Sequence, residues 1–573
     1  MDTITLTIDG IEVKASKGKR ILEAALDAGI YIPNLCALRD IKLPFGACRL
    51  CQVEIEGKRG TVTACSEPAV DGMVVHSNTP ELNNLRRNIL EIMLARHPSI
   101  CLTCHRRERC RPGDICLRLV DVTDEQCVLC PKNGRCELQR VVDFIGLSEM
   151  PFPYTSKELP VERENPFIVR NNNLCILCGR CVRVCGEVLG VEAIAFNQRG
   201  ANTVVSGNFN KPLIESGCIF CGSCVEVCPT GALMDRGDEW ERWPNREAAS
   251  VRCKYACPAG VDVPRFIRFI VEGSPAEALA VIRESVPLAS ICSRICPHPC
   301  EDECRRGDLN EPIAIRALER FAVDQADSRR FIEETMAETS GRKVAIIGSG
   351  PAGLTAAYYL ARKGGHSVVI FESLTKPGGM MREIKELPVE ILDAEIMIIT
   401  GLGVRINTQT EIESLDGLFE QGYDAIFLTE SLSDITEGYG LKAGSGNIVL
   451  VDPDTLISSR KGIYAGGEAI SEASSFIEGV ADGRKAAISI DLCLGGNGNI
   501  REILAPVEEG MPRVGMRPDF SKKLRNHKQL EAGFTGEAAV YEARRCMNCD
   551  LRFRVAEMVS QPPAEVRQEV SSL

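Results

Sequence analysis

The sequence predicts a multidomain chain of α/β and α+β parts, and three observations carry that prediction. The chain has 573 residues, well beyond the ~250–300 at which a single hydrophobic core stops growing. Most of its 28 cysteines fall into short, regularly spaced sets before residue 305, with a further pair near the end. One strand, glycine turn and helix pattern, the signature of a nucleotide-binding α/β unit, begins at Lys343.

Composition narrows the function classes. Sixty-seven Lys and Arg stand against 79 Asp and Glu, a net charge of −12, which disfavours nucleic acid and anionic membrane as partners. No stretch approaches the ~18–20 apolar residues of a membrane span. The N-terminus, Met-Asp-Thr-Ile-Thr-Leu-Thr, has neither a basic leader region nor twin arginines. A cytoplasmic location is expected, and in that reducing compartment 28 cysteines are expected to be metal ligands rather than disulfides.

The densest set lies at 175–228. It reads Cys175-Ile-Leu-Cys178-Gly-Arg-Cys181-Val-Arg-Val-Cys185 and then Cys218-Ile-Phe-Cys221-Gly-Ser-Cys224-Val-Glu-Val-Cys228-Pro, two copies of C-x2-C-x2-C-x3-C. Three cysteines two apart wrap one face of an iron-sulfur cube, and the fourth reaches the other cube. The expected sets are therefore Cys175, Cys178, Cys181 and Cys228 for one [4Fe-4S] cluster, and Cys218, Cys221, Cys224 and Cys185 for the second. Zinc also takes C-x2-C pairs, but a tetrahedral zinc site needs no third cysteine at that spacing and no Cys-Pro.

Taken from the start, residues 3–8 and 10–15 alternate apolar and polar around Asp9-Gly10, a hairpin, and 20–28 reads as a short helix with Ile21, Leu22, Ala25 and Leu26 on one face. Cys36, Cys48, Cys51 and Cys65 follow. Hairpin, helix and loop-borne cysteines predict a β-grasp [2Fe-2S] ferredoxin over 1–80, with Gly46-Ala47 keeping side chains off the sulfides. The cysteine spacing resembles the N-terminal domain shared by the large iron-sulfur subunit of respiratory complex I and the iron hydrogenases.

After an apolar helix over 82–94 comes His97-Pro-Ser-Ile-Cys101-Leu-Thr-Cys104, then Cys110. This H-x3-C-x2-C-x5-C run resembles the same two families, and the resemblance implies a [4Fe-4S] cluster on His97, Cys101, Cys104 and Cys110, with His105 as the competing imidazole. A second set, Cys116, Cys127, Cys130 and Cys136, closes in Cys136-Glu-Leu-Gln, as the single complex I motif does. It has Thr123 where the histidine would be and Cys116 as a fourth thiol, so one more all-cysteine [4Fe-4S] cluster is expected in 81–145. Which set keeps the histidine stays open. The two-cluster ferredoxin then occupies 165–240, and 239–247 is read as a linker.

Further on, Cys253-Lys-Tyr-Ala-Cys257-Pro precedes two apolar-periodic helices, over 264–272 and 275–284, and then Cys292-Ser-Arg-Ile-Cys296-Pro-His-Pro-Cys300-Glu-Asp-Glu-Cys304. This resembles the small subunit of glutamate synthase and its relatives, dihydropyrimidine dehydrogenase and ferredoxin-dependent transhydrogenases, whose helical domain carries two [4Fe-4S] clusters ahead of an FAD domain. The resemblance implies a helical cluster domain over 250–335, with Cys292, Cys296, Cys300 and Cys304 as one set. Cys253 and Cys257 are completed by Cys546-Met-Asn-Cys549 on a tail, 499–573, that folds back. The sum is one [2Fe-2S] and six [4Fe-4S] clusters, leaving Cys493 as a buried, inert core residue.

Lys343-Val-Ala-Ile-Ile-Gly348-Ser-Gly350-Pro351-Ala352-Gly353 is a G-x-G-x-x-G turn opening a helix, answered by Val368-Val-Ile-Phe-Glu372. The glycines admit a pyrophosphate at a helix N-terminus, and Glu372 can accept from a ribose. Pro377-Gly-Gly379-Met380 and Gly462-Ile-Tyr-Ala-Gly-Gly467-Glu468 resemble FAD-binding stretches of the glutamate synthase family, implying a truncated Rossmann-type FAD domain over 342–498. That family's second, NADPH-binding Rossmann unit is missing. Gly438-Tyr-Gly-Leu-Lys-Ala443 matches G-x-G-x-x-A only on paper and is read as a loop.

The functional expectation is an iron-sulfur and flavin electron-transfer subunit of a multisubunit NAD(H)-dependent hydrogenase, formate dehydrogenase or ferredoxin transhydrogenase, with or without electron bifurcation. Its implied partners are an FMN-bearing, NADH-binding subunit, a small [2Fe-2S] subunit of complex I type, a hydrogenase or formate dehydrogenase catalytic subunit, and ferredoxin. The competing expectation is a self-sufficient NAD(P)H:acceptor oxidoreductase using its own FAD.

Overall fold

The computed structural model describes residues 2–111, 114, 116, 127–237, 242–326, 337–430, 439–446, 448–471 and 474–559. Thr123, Glu239 and Gly438 lie outside the described residues. The chain divides into two compact units: Met1–Trp243 with Glu508–Lys523 and Met547–Leu573, and Pro244–Val507 with Leu524–Cys546. No helix among the described residues is long and apolar enough to cross a membrane.

The first unit begins with β1 (Thr3–Ile8) and β2 (Ile11–Ser16), an antiparallel hairpin in the register Thr3 opposite Ser16. Its turn holds Asp9 and Gly10 at φ +50° and +82°, the left-handed pair that a tight hairpin needs. Alternation buries Leu6, Ile8 and Val13 beneath α1 (Ile21–Asp27). With β3 (Gln52–Ile55), β4 (Thr61–Thr63) and β5 (Val74–His76) the sheet order is β2-β1-β5-β3-β4, parallel only between β1 and β5. Next, α2 (Pro80–Leu94) is capped by Thr79, whose hydroxyl accepts from Leu82 N. From α2 the buried Arg86 donates to Leu50 O at 3.0 Å and Gln52 O at 2.7 Å, pinning the loop that carries Cys48 and Cys51. α3 (Glu137–Ile145) adds Leu138, Val141 and Val142 to a core that includes Leu90, Leu94, Leu35, Cys36, Cys48 and Cys178.

The remainder of that unit is built on β6 (Val161–Glu162), β7 (Ile168–Asn171), α4 (Arg180–Arg183), β8 (Ile194–Asn197), β9 (Val204–Gly207), α5 (Ser223–Glu226) and β10 (Leu233–Asp235). The strands form a β10-β7-β6 sheet and a β8-β9 hairpin. A C-terminal helix, Leu551–Ala556, is fastened by Arg552, buried between Glu226 at 2.7 Å and Asp235 at 2.9 Å.

Among the described residues the second unit starts with α6 (Arg246–Ser250), α7 (Arg252–Ala256), α8 (Val263–Val271), α9 (Pro275–Arg283), α10 (Ala289–Ile295), α11 (Pro299–Asp302) and α12 (Ile315–Gln325). An α/β layer follows, with β11 (Lys343–Ile347), α13 (Pro351–Arg362), β12 (Ser367–Phe371), α14 (Val389–Gly401), β13 (Arg405–Asn407), α15 (Leu415–Glu420), β14 (Ala425–Leu428), β15 (Ile463–Ala465) and α16 (Phe476–Cys493). Its sheet is wholly parallel in the order β13-β12-β11-β14-β15, and β14 and, after the exposed Lys343, β11 read as apolar runs because helices cover them. Among the described residues between β14 and β15 only isolated bridges occur, and Tyr439 to Ala443 includes no helix.

Two expectations need correction. Cys493 is exposed rather than buried: it is the last residue of α16, at the helix end. The tail does not return to the helical domain as a whole. Leu524–Cys546 belongs there, with α17 (His527–Ala532) and α18 (Gly536–Ala543), whereas Glu508–Lys523 and the residues from Met547 belong to the first unit.

Candidate metal centres and nucleotide site

In the β-grasp part the four thiols stand as two close pairs. Cys36 and Cys48 share a hydrogen bond that holds Cys48 down at about 6 and raises Cys36, and Leu35 N and Cys48 N point at the Cys48 and Cys36 sulfurs, each at 3.4 Å. Cys51 and Cys65 repeat the arrangement, with Cys65 lowered and Cys51 raised by their shared hydrogen bond. Two thiol pairs facing each other, with backbone N–H groups turned to sulfur, are the donor set of a [2Fe-2S] centre.

In the two-cluster part the fold gathers thiols across the two motifs. Cys181 faces Cys178, Cys175 and Cys228, whereas Cys224 faces Cys218, Cys221 and Cys185. Burial raises Cys175, Cys178, Cys181, Cys218 and Cys224, and lifts Cys185 to about 11. Both ligand turns have the same shape. Leu177 and Phe220 sit at φ +56° and +58°, so their N–H groups reach back to Cys175 Sγ and Cys218 Sγ at 3.4 Å, and Gly179 and Gly222 follow at +78° and +79°. Cys175, Cys178, Cys181 and Cys228 line one cavity.

His97 does not group as its position in the sequence suggests. It lines a cavity with Cys127, Cys130 and Cys136, while Cys101 lies against Cys127. The expected set of His97 with Cys101, Cys104 and Cys110 is thus corrected to this extent: among the described residues the cavity that His97 lines is shared with Cys127, Cys130 and Cys136 and not with Cys101, Cys104 or Cys110. His97 is buried, and burial lowers it to about 4, so its imidazole is neutral. Nδ1 lies 3.0 Å from Pro98 O, which can only accept; Nδ1 therefore holds the proton and Nε2 keeps a free lone pair, the form a ligand histidine needs. Cys104 and Cys116 are half-buried and Cys110 is exposed. His105 is not among the residues lining the His97 cavity.

The helical domain also regroups its thiols. Cys257, Cys292, Cys296 and Cys300 act on one another, while Arg306 lies near both Cys304 and Cys546. Cys257 thus stands with the 292–300 thiols rather than apart from them as chain order suggests, and Cys304 and Cys546 share Arg306 as a neighbour. Cys253 packs against the same core and lies near Cys300. The tail is tied in by Glu542, which accepts from Ala314 N at 2.9 Å, and by Arg545, which donates to Glu311 O at 2.7 Å. Within the tail Asn548 sits at φ +52°, giving Cys546-Met-Asn-Cys549 the same local turn as the ferredoxin motifs. Sequence reading missed Glu319, a buried carboxyl raised to about 8 by burial and by Cys296, which faces Cys257, Cys292 and Cys300.

Among the described residues no three His, Cys, Asp or Glu stand closely enough to hold a single metal ion. A mononuclear zinc site would bring sulfurs to about 3.8 Å of one another, given Zn–S bonds of ~2.3 Å; a cube spreads its ligands wider.

In the α/β layer one cavity is lined by Gly348, Gly350, Pro351, Ala352, Glu372, Gly379, Met380, Gly467 and Glu468. A Cβ on Gly353 would lie 2.1 Å from Gly348 O, and one on Gly348 would lie 2.5 Å from Thr429 Oγ1, so both positions require glycine. The N-terminus of α13 opens onto this cavity, which fits a dinucleotide pyrophosphate. Glu372 accepts from Ser349 N at 3.1 Å and Leu374 N at 2.9 Å and also from the Ser349 and Ser373 hydroxyls, so a ribose hydroxyl would bind there by taking the place of one of these serine hydroxyls. Glu430, also missed from sequence, lines the cavity and is raised to about 7 by burial and by Glu372 and Glu468.

Comparison with known proteins agrees with this division. Residues 1–80 match a 2Fe-2S iron-sulfur cluster binding domain, and residues 165–234 the ferredoxin-like domain of NADH-quinone oxidoreductase subunit 3. Residues 246–331 match dihydropyrimidine dehydrogenase domain II, 4Fe-4S cluster, and residues 346–409 an NAD(P)-binding Rossmann-like domain. The chain is 42% identical over 224 residues to the NADP(+)-dependent formate dehydrogenase subunit beta of Moorella thermoacetica, covering 33% of this chain and 31% of that one. It is 34% identical over 247 residues to the NADP-reducing hydrogenase subunit HndD of Solidesulfovibrio fructosivorans, covering 42% and 37%. It is 34% identical over 242 residues to the NADPH-Fe(3+) oxidoreductase subunit alpha of Geobacter sulfurreducens, covering 41% and 25%. The chain thus spans about a quarter to somewhat over a third of the length of these relatives. It carries ferredoxin-like 2Fe-2S and 4Fe-4S domains and a Rossmann-like NAD(P)-binding domain.

Proposed function

We propose that this chain is the iron-sulfur and flavin wiring subunit of a cytoplasmic, multisubunit NAD(H)-dependent oxidoreductase. It would work with an FMN-bearing NADH-binding subunit, a small [2Fe-2S] subunit and a hydrogenase, formate dehydrogenase or ferredoxin partner. The observation that carries this is the contiguity of the thiol sets in the first unit. Cys181 acts on Cys224, Cys130 on Cys228, and a Cβ on Gly231 would meet Cys130 Sγ at 2.5 Å. The set of Cys175, Cys178, Cys181 and Cys228 therefore borders both the Cys185, Cys218, Cys221, Cys224 set and the His97 set. Adjacent centres are what electron transfer needs.

One [2Fe-2S] and six [4Fe-4S] centres and one FAD are the proposed complement. A bound flavin supplies the exchange between two-electron and one-electron chemistry. The chain's part is to seat the pyrophosphate at α13, take the ribose on Glu372 and close the cavity with Gly467 and Glu468. Names of the relatives, which include a formate dehydrogenase and a hydrogenase subunit, support the class of partner.

A second reading is favoured by the match of 346–409 to an NAD(P)-binding domain: a self-sufficient oxidoreductase taking hydride from a nicotinamide at this site. Titrating the isolated chain anaerobically with NADH and NADPH separates the two. The wiring reading expects no prompt bleaching of flavin or clusters until the nucleotide-binding partner is added; prompt bleaching by either nucleotide alone would favour the second.

A further inference from the structure

Arg180 follows Gly179 in the first ferredoxin motif and is wholly buried. Its guanidinium touches the flanks of three thiol sets at once. Nη1 donates to both oxygens of Glu137, next to Cys136, at 2.8 and 2.9 Å, and approaches Val227 O, next to Cys228, at 3.5 Å. Nη2 reaches Asn34 Oδ1, two residues before Cys36, at 3.4 Å. Cys178 and Cys36 both act on its charge. Its Nε is buried and has no hydrogen-bond partner among the described residues. A buried cation is costly, and an orphaned N–H beside it more so, unless the site supplies negative charge and an acceptor. Glu137 supplies one charge; thiolate-bound clusters supply the rest, sulfur being the acceptor class that Nε lacks.

We propose that Arg180 is a positioning residue shared by the [2Fe-2S] site and the Cys175, Cys178, Cys181, Cys228 site, its buried cation favouring the more negative, reduced state of both. This rests on the wiring reading above. Glu137 opposes the cation, so the pair sets the two potentials jointly: removing the cation lowers both, and removing the carboxylate raises both. The Cys185, Cys218, Cys221, Cys224 site, which Arg180 does not touch, is the internal control.

The test is an EPR-monitored redox titration of the full chain, reconstituted anaerobically, as wild type, Arg180→Gln, Arg180→Lys and Glu137→Gln. We expect the midpoints of the [2Fe-2S] and first [4Fe-4S] centres to move negative in Arg180→Gln, to stay near wild type in Arg180→Lys and to move positive in Glu137→Gln, with the control centre unmoved. A purely structural role would not give opposite shifts from the two partners. If Arg180→Gln fails to assemble, Glu137→Gln decides alone. Unchanged midpoints, or equal shifts at the control centre, would overturn the proposal. If instead Cys178→Ala and Cys181→Ala leave every cluster signal intact, the wiring reading itself fails and the inference with it.

Discussion

Glu430 gives the nucleotide cavity an excess of negative charge. Glu372, Glu430 and Glu468 line it, and among the described residues no Lys or Arg does so. A pyrophosphate is anionic, so its binding is favoured when Glu430 is neutral. Raised to about 7 from an ordinary 4.5, Glu430 is largely neutral below that pH and charged above it. The dinucleotide is therefore expected to bind several-fold more tightly at about pH 6 than at about pH 8, and Glu430→Gln to bind tightly and without this slope. Fluorescence quenching of added FAD at both pH values checks this; an identical slope in the variant would refute it. Nothing in the sequence marks Glu430 or Glu319, because their role comes from burial against residues far along the chain. The cysteines were legible, since a cluster dictates short spacings. Their grouping was less so: chain order does not say that Cys257 stands with Cys292, Cys296 and Cys300, or that Cys127 shares a cavity with His97. The same limit applies to Cys493, which is exposed at the end of α16 despite its apolar neighbours in sequence.

At the scale of elements, the close approach of α13 and α16 decides whether the cavity exists. Gly353 packs on Gly348 O, and a Cβ on Gly483 would lie 2.4 Å from Ala352 O, so backbone meets backbone with no flexible side chain to yield. Gly353→Ala is expected to destabilise the α/β layer by ~1–3 kcal/mol and to abolish flavin retention. Chemical denaturation and the flavin absorbance of the purified variant measure the two effects; a flavin-replete Gly353→Ala protein of unchanged stability would contradict the account. Elements were the most legible level. The β1-β2 hairpin, α1, α2, α8 and α9 stand within a residue or two of where periodicity and turn residues put them, because each has one buried face and a clear boundary signal. The tail was legible only in part. Cys546 and the apolar positions of α18 point to the helical domain, but the docking of Arg552 onto Glu226 and Asp235 depends on carboxylates more than 300 residues earlier.

For the whole molecule, the central claim is that its thiols hold inorganic clusters and that the chain conducts between other proteins' active sites. The gathering of thiols from separate motifs, the neutral His97 imidazole and the sulfur-directed backbone N–H groups all follow from that claim. The most direct measurement is iron and acid-labile sulfide analysis of the full-length chain, purified or reconstituted without oxygen. The account predicts about 26 iron atoms per chain with a matching quantity of sulfide, from one two-iron and six four-iron centres. A well-folded protein with only a few irons, or one holding zinc in their place, would contradict it.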